Sequence, residues 1–289
     1  MAVTITASLV NELRTKSGAG MMDCKKALVE SDGDMDKAMD ILRKKGAATA
    51  AKRADRAAHE GVILTKVSAD RLEGAIIEVN CETDFVAKSD DFMNFVQTVL
   101  EKTDSAKPAD AAALLAKHPE LVDALNEVIG KVGEKSEISR VSHTTVVNGY
   151  IAEYVHPGNK VGVILKFANI AADKHEVFAP LARNIAVQVA AMKPVSVSRD
   201  EVDKDLIAKE LEIYRDQAKM EGKPENVIER IATGRLDKYY KEVCLLEQDY
   251  FKDQSNSRTI AQLVAEFNKE QGTSVSIQSF TLYQLGGAK

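Results

Sequence analysis

Ala75-Ile76-Ile77-Glu78-Val79-Asn80-Cys81-Glu82-Thr83-Asp84-Phe85-Val86-Ala87-Lys88 holds the change of pattern that decides the fold. Its first part, Ala75 to Val79, is apolar and β-branched. It follows Val62-Ile63-Leu64-Thr65-Lys66-Val67 across a turn near Asp70, and the two read as paired strands. A polar stretch, Glu82-Thr83-Asp84, then leads into Phe85-Val86. Beyond it lies an amphipathic helix with Phe92, Phe95, Val96 and Val99 on one face and Ser89 or Asp90 as cap. Two readings of Phe85 and Val86 stand level. They staple onto the following helix, or Phe85 projects as an apolar wedge with the charge of Asp84 beside it.

Working outward towards the C-terminus, residues 104–135 are Ala- and Leu-rich and helical. Strands follow at Thr144–Val147, Tyr150–Val155 and Val161–Phe167, then a helix at Val177–Met192 ended by Pro194. The order strand, strand, helix thus occurs twice, which predicts an α+β core of two similar subdomains. From Asp200 to Tyr240 two polar helices flank Glu221-Gly222-Lys223-Pro224. Val202, Leu206, Leu211, Tyr214 and Ala218 are placed to face Ile228, Ile231, Leu236, Tyr239 and Val243. This predicts an antiparallel helical hairpin protruding from the core, with a plain pair of packed surface helices as the alternative. A helix near Ile260–Phe267 and a strand near Val275–Tyr283 complete the pattern.

Towards the N-terminus, three short helices are predicted. Thr6 caps the first, with Leu9, Val10 and Leu13 inward and Gly18 and Gly20 stopping it. The second covers about Met22 to Glu30. The third opens at Asp32-Gly33-Asp34, carries Met35, Ala38, Met39 and Leu42, and ends at Gly46. Met21 and Met22 either fill this small core or serve as adaptable contacts; neighbours on a helix diverge by about 100°, so both do not easily point inward. Arg43, Lys44, Lys45, Lys52, Arg53 and Arg56 then read as a solvated linker or frayed helix, with a basic RNA-touching arm as the alternative.

The 289 residues imply two or three domains. Acidic residues (44) outnumber basic ones (39), against a nucleic-acid coat. Aromatics are 5% with no Trp, against stacking platforms for bases. In so aromatic-poor a chain, a phenylalanine in a polar loop needs a reason. Cys24, Cys81 and Cys244 form no CxxC pair, and His59, His118, His143, His156 and His175 form no HxxxH pair, so no metal site is expected. GxGxxG, GxxxxGK[ST] and GxSxG are absent, so neither a catalytic residue nor a cofactor is expected, nor direct nucleotide binding. Cys81, ending an apolar strand, reads as a buried inert thiol. Met1 to Thr6 carries no leader pattern and no apolar run reaches the roughly 20 residues of a membrane span, so a cytoplasmic protein is expected.

Thr83-Asp84-Phe85-Val86, between a strand ending in Glu-Val-Asn and a Phe-containing helix, resembles the signature of the translation elongation factor Ts family. Gly18-Ala-Gly-Met-Met-Asp-Cys-Lys-Lys-Ala-Leu28, after Thr6-Ala-Ser-Leu-Val10, is similar to the family's N-terminal module, and the likeness runs on through Tyr154-Val-His156, Val161-Gly-Val163 and Gly222-Lys-Pro224. The resemblance implies a nucleotide exchange factor for the GTPase elongation factor Tu. It implies a ubiquitin-associated-like (UBA-like) docking bundle with its basic linker at 1–55, one core subdomain at 56–142, another at 143–197 and 245–289, and a coiled-coil hairpin at 198–244. Arg14, Met21 and Met22 match residues that dock on the GTPase. Thr83, Asp84, Phe85 and Val86 match the segment that disturbs the partner's Mg²⁺ site, and His156 matches a contact with a more distant partner domain. The hairpin is linked in the family to dimerisation, so a homodimer through it is a further expectation. Two departures stand out: Pro157-Gly158-Asn159 follows His156 where many relatives have another loop, and many bacterial members continue beyond Lys289 into a terminal helix. The competing functional reading is a non-exchanging UBA-type adaptor or chaperone of a translation GTPase.

Overall fold

In chain order the helices and strands are α1 (Ala7–Ser17), α2 (Met21–Glu30), α3 (Met35–Arg53), β1 (Glu60–Val67), β2 (Glu73–Cys81), α4 (Asp84–Ala87), α5 (Asp90–Ala106), α6 (Ala111–Lys117), α7 (Glu120–Val132) and β3 (Ser136–Thr145). They continue as β4 (Gly149–Val155), β5 (Val161–Ala168), α8 (His175–Met192), α9 (Lys204–Met220), α10 (Glu225–Val243), α11 (Ile260–Gln271) and β6 (Ser276–Gln284). This computed structural model describes residues 4–253 and 257–287. The readings made for Met1–Val3 and Ala288–Lys289 lie outside the described residues.

The chain is α+β, and its two three-stranded antiparallel sheets share one plan. In each, a hairpin of two strands is followed by helices, and a distant third strand returns beside the second: β1-β2-β3 and β4-β5-β6. Each carries a register shift on its last pair, at Glu78/Val79 and at Lys166/Phe167. The strand expected at Thr144–Val147 is a correction. It begins earlier, at Ser136, and pairs with β2 rather than opening the second sheet, so the first sheet runs on to Thr145. Its N-terminal half, Ser136-Glu-Ile-Ser-Arg140, is too polar to announce a strand; pairing, not periodicity, places it there.

Period-two alternation sorts β2 between two cores. Ala75, Ile77, Val79 and Cys81 pack with Phe92, Phe95, Val96 and Val99 of α5. Ile76 faces the other way, with Ile63 of β1, onto Ile151 and Ile164 of the second sheet. The second sheet buries Leu165 and Phe167 against Phe178, Ile185 and Val189 of α8. The layers therefore run helix, sheet, sheet, helix. Between the sheets, Glu78 is buried and receives the Arg140 guanidinium, whose Nε donates at 2.8 Å while its plane lies 4.3 Å from the Tyr283 ring centroid. That pairing gives a buried carboxylate a partner, which it needs.

α1 to α3 pack around Val10, Leu13, Cys24, Ala27, Leu28 and Ala38. α3 does not end at Gly46. It runs to Arg53, because Ala47, Ala48, Ala50 and Ala51 favour helix and Gly46 lies against α7. A Cβ on Gly46 would sit 2.6 Å from the Asn126 carbonyl oxygen, and one on Gly130 would sit 3.1 Å from the Gly46 Cα. Two glycines thus let the helix axes approach closely and tie the bundle to the first subdomain. The stretch expected as a linker at 43–56 is therefore ordered helix to Arg53 and a turn from Ala54 to Arg56, with Lys45 paired to Asp23 and Arg53 and Arg56 to Glu82.

α9 and α10 form a pair joined by Glu221–Pro224. Val202, Ala218, Ile228 and Ala232 are buried, while Leu206 is exposed instead of facing inward. Arg215–Glu229 and Arg235–Glu221, each 2.7 Å, cross between the helices. Among the described residues no helix is long and apolar enough to cross a membrane.

Candidate partner-binding site

α4 is a single turn that separates two adjacent apolar residues. Phe85 is 83% exposed, whereas Val86 is 8% exposed and joins the core beneath α5. Val86 packs inward as a staple does, and Phe85 projects into solvent. A large apolar side chain held in water at the tip of an ordered turn is the most conspicuous surface feature of this region.

The turn is clasped from both sides. The Thr83 hydroxyl accepts the Val86 N–H at 3.4 Å and donates into the Glu134 carboxylate, 2.9 and 3.0 Å from its two oxygens; the Thr83 N–H donates to the same group at 3.0 Å. Glu82 receives Nη1 of Arg53 at 2.8 Å, Nη1 of Arg56 at 3.0 Å and the backbone N–H of Lys135 at 2.6 Å. The Lys135 N–H above all, then Arg56 and Arg53, pulls the Glu82 carboxyl down to about 2. Asp84 pairs with Lys88 one turn on at 2.7 Å, which holds its carboxyl below the usual range. The Cys81 thiol donates to the Thr83 carbonyl at 3.2 Å, and burial first, with Glu134 and Glu60, pushes it up to about 12. It stays protonated, as an inert thiol does.

Met21 and Met22 occupy the first turn of α2 and are 53% and 62% exposed, so the reading in which both fill the bundle core is corrected. Cys24, Ala27 and Leu28 point inward instead, as the helical spacing requires. Arg14, in the last turn of α1, is also exposed. The turn preceding these methionines rests on Lys131 of α7, which pairs with Glu127 at 3.0 Å and with Asp91 in the first turn of α5 at 3.4 Å. The bundle is thus seated on α7, which Lys131 ties to α5, and α5 in turn packs with the Phe85 turn.

His156 is exposed, with Nδ1 2.9 Å from the Tyr154 hydroxyl. The loop after it is pinned to β1: the Ile63 N–H donates to the Asn159 carbonyl at 2.8 Å, and Lys160 pairs with Glu60 at 2.6 Å. Gly158, Asn159 and Lys160 line one groove with Asp84, Ala87 and Lys88. The loop after His156 and the Phe85 turn, far apart in sequence, thus lie side by side in the fold. Sequence reasoning missed Glu82 and Glu134 altogether. The available signal was an acidic residue beside the signature and an unassigned basic run at 43–56. Among the described residues no cluster of three or more His, Cys, Asp or Glu side chains could hold a metal ion.

The family model described as Elongation factor TS matches residues 82–287, beginning at the clasped Glu82. Elongation factor Ts of Prosthecochloris aestuarii is 47% identical over 289 residues, covering 98% of this chain and 99% of that protein. Elongation factor Ts of Chloroherpeton thalassium is 45% identical over 98% of both chains, and that of Clostridium perfringens 42% identical over 98% of this chain and 93% of its own. The sequence motifs, the duplicated sheet plan and this full-length similarity agree: the chain belongs to the elongation factor Ts family of translation factors.

Proposed function

We propose that this chain is a guanine nucleotide exchange factor that binds elongation factor Tu in its GDP form, perturbs the Mg²⁺ site of that GTPase and promotes GDP release. The exposure of Phe85 on a turn clasped by Glu134 and anchored by Val86 carries the reading. A GTPase retains its nucleotide partly through a Mg²⁺ that bridges the phosphates, so an apolar wedge with a carboxylate beside it, here Phe85 and Asp84, weakens retention by displacing that arrangement. Inverting a 1:99 conformer ratio takes about 5.5 kcal/mol of differential affinity. Burying one Phe contributes about 1.5–3 kcal/mol. Phe85 therefore needs further contacts. We assign these to Arg14, Met21 and Met22 on a UBA-like bundle and to the His156 loop, with the α9–α10 hairpin as a coiled-coil element for dimerisation or other contacts.

The test is the release of fluorescent GDP from elongation factor Tu. Catalytic amounts of the protein are expected to speed release. Unchanged release, with the two proteins still associating, would overturn exchange and leave the adaptor reading.

A further inference from the structure

Resting on the exchange reading, we propose that Glu82 is a positioning residue that couples the N-terminal bundle to the Phe85 turn, so that docking of the one and insertion of the other are a single event.

Arg53 is the last residue of α3, the bundle's own helix, and Arg56 lies in the turn just beyond it; both converge on a carboxylate one residue before Thr83. The Arg53 half of the contact is sheltered, with the Glu82 side chain 16% exposed, while Arg56 closes it from the solvent side. It is also cross-braced, because the Lys135 ammonium donates to the Arg56 carbonyl at 2.9 Å while the Lys135 N–H donates to Glu82. Upstream, the Gly46–Gly130 crossing fixes the line of α3, so its last turn cannot swing freely. The path from Met21 and Met22 through α2 and α3 to Glu82 and Phe85 is therefore continuous packed structure. A second clasp, Glu134 on Thr83, comes from the α7–β3 connection and does not involve the bundle. Removing Glu82 leaves that clasp and the burial of Val86 in place, but leaves two guanidiniums facing each other without a counter-charge. The turn stays folded, and its orientation relative to the bundle is lost.

The experiment combines Glu82→Gln, Arg53→Gln/Arg56→Gln and Phe85→Ala in GDP release measured against factor concentration, with amide hydrogen exchange of the free protein. Glu82→Gln is expected to lower the maximal release rate about fivefold or more, the scale of ordinary coupling between sites. The half-saturating concentration should change less. In the Phe85→Ala background the same substitution should have almost no further effect, since a positioning residue acts only through what it positions. Independently of any partner, the Arg53→Gln/Arg56→Gln protein should lose protection at amides 83–88, although its substitutions lie at the end of α3 and in the turn after it. Unaltered protection there overturns the coupling, as does a Glu82→Gln effect that adds in full to that of Phe85→Ala. If wild-type protein fails to speed release, the exchange reading falls and this one with it. If wild type and Phe85→Ala behave as proposed but Glu82→Gln equals wild type, only the coupling falls.

Discussion

Phe85 and Val86 are neighbours in one turn, and substituting each with alanine should separate surface function from stability. Phe85 is 83% exposed, so truncating it removes little packing. The unfolding free energy should stay within about 0.5 kcal/mol of wild type, the range of ordinary surface substitutions. Val86 is 8% exposed and belongs to the same buried cluster as Phe92 and Phe95. Val86→Ala deletes two carbon groups, about 1.6 kcal/mol of transfer free energy, and leaves a small void besides. A loss of about 1.5–3 kcal/mol is expected. On the exchange side the order reverses. A Phe85 buried in the complex contributes about 1.5–3 kcal/mol, so Phe85→Ala should lower exchange efficiency about 10- to 150-fold. Val86→Ala, at a temperature where it is folded, should lower it less. Urea unfolding gives the first quantity and fluorescent GDP release the second. A Phe85→Ala protein that loses more than about 1 kcal/mol of stability, or exchanges like wild type, would refute the division of labour between the two residues.

Three further outcomes follow from the geometry. Gly46→Ala and Gly130→Ala each gain about 1 kcal/mol of helix propensity, but the Gly46 Cβ would meet a backbone oxygen at 2.6 Å while nothing approaches the Gly130 Cβ closer than 3.1 Å. Gly46→Ala should therefore destabilise by about 1–3 kcal/mol and Gly130→Ala by less in thermal unfolding; a Gly46→Ala protein as stable as wild type would show that α3 and α7 are not locked by this crossing. Burial pushes the His143 imidazole below its usual 6.5 despite Glu73 nearby, so the unfolded chain takes up the proton first; stability is fully present above pH 6.5 and declines as pH falls below it. His143→Gln should flatten the urea midpoint between about pH 7.5 and 5.5, and an unchanged slope would remove His143 from the account. Cys24, Cys81 and Cys244 are all buried, so a thiol reagent at pH 8 should react slowly with the native protein and with all three after unfolding; rapid labelling of Cys81 would contradict its protonated, structural role.

What the sequence made legible follows from where periodicity is strong. α5 was readable because Phe92, Phe95, Val96 and Val99 fall on one face, and β2 because its residues alternate between two cores. β3 was not, since Ser136 to Arg140 is polar and gains its place from β2 and from the buried Glu78–Arg140 pair. Gly46 was misread as a stop because a glycine at a helix end and a glycine at a helix crossing look the same in one dimension; only the partner helix distinguishes them. The basic run at 43–56 failed for the same reason. Its counter-charge, Glu82, is 29 residues from Arg53 in sequence, and no local pattern connects them.

These long-range contacts bear on how an exposed phenylalanine can do useful work. A wedge on a mobile loop would lose part of its 1.5–3 kcal/mol to ordering at the moment of binding, since immobilising a side chain costs about 0.5–1.5 kcal/mol and fixing a residue's backbone about 1–2 kcal/mol. In this chain much of that cost falls on folding instead. Thr83 is held by Glu134, Val86 is buried, Asp84 is paired with Lys88, and Glu82 is held by the bundle. Phe85 is left in water, and the packing of α3 on α7 seats the bundle that carries Met21 and Met22 on the same subdomain. On the exchange function proposed above, pre-ordering of this kind would let several modest patches act together towards the roughly 5.5 kcal/mol that inverting a conformer ratio requires.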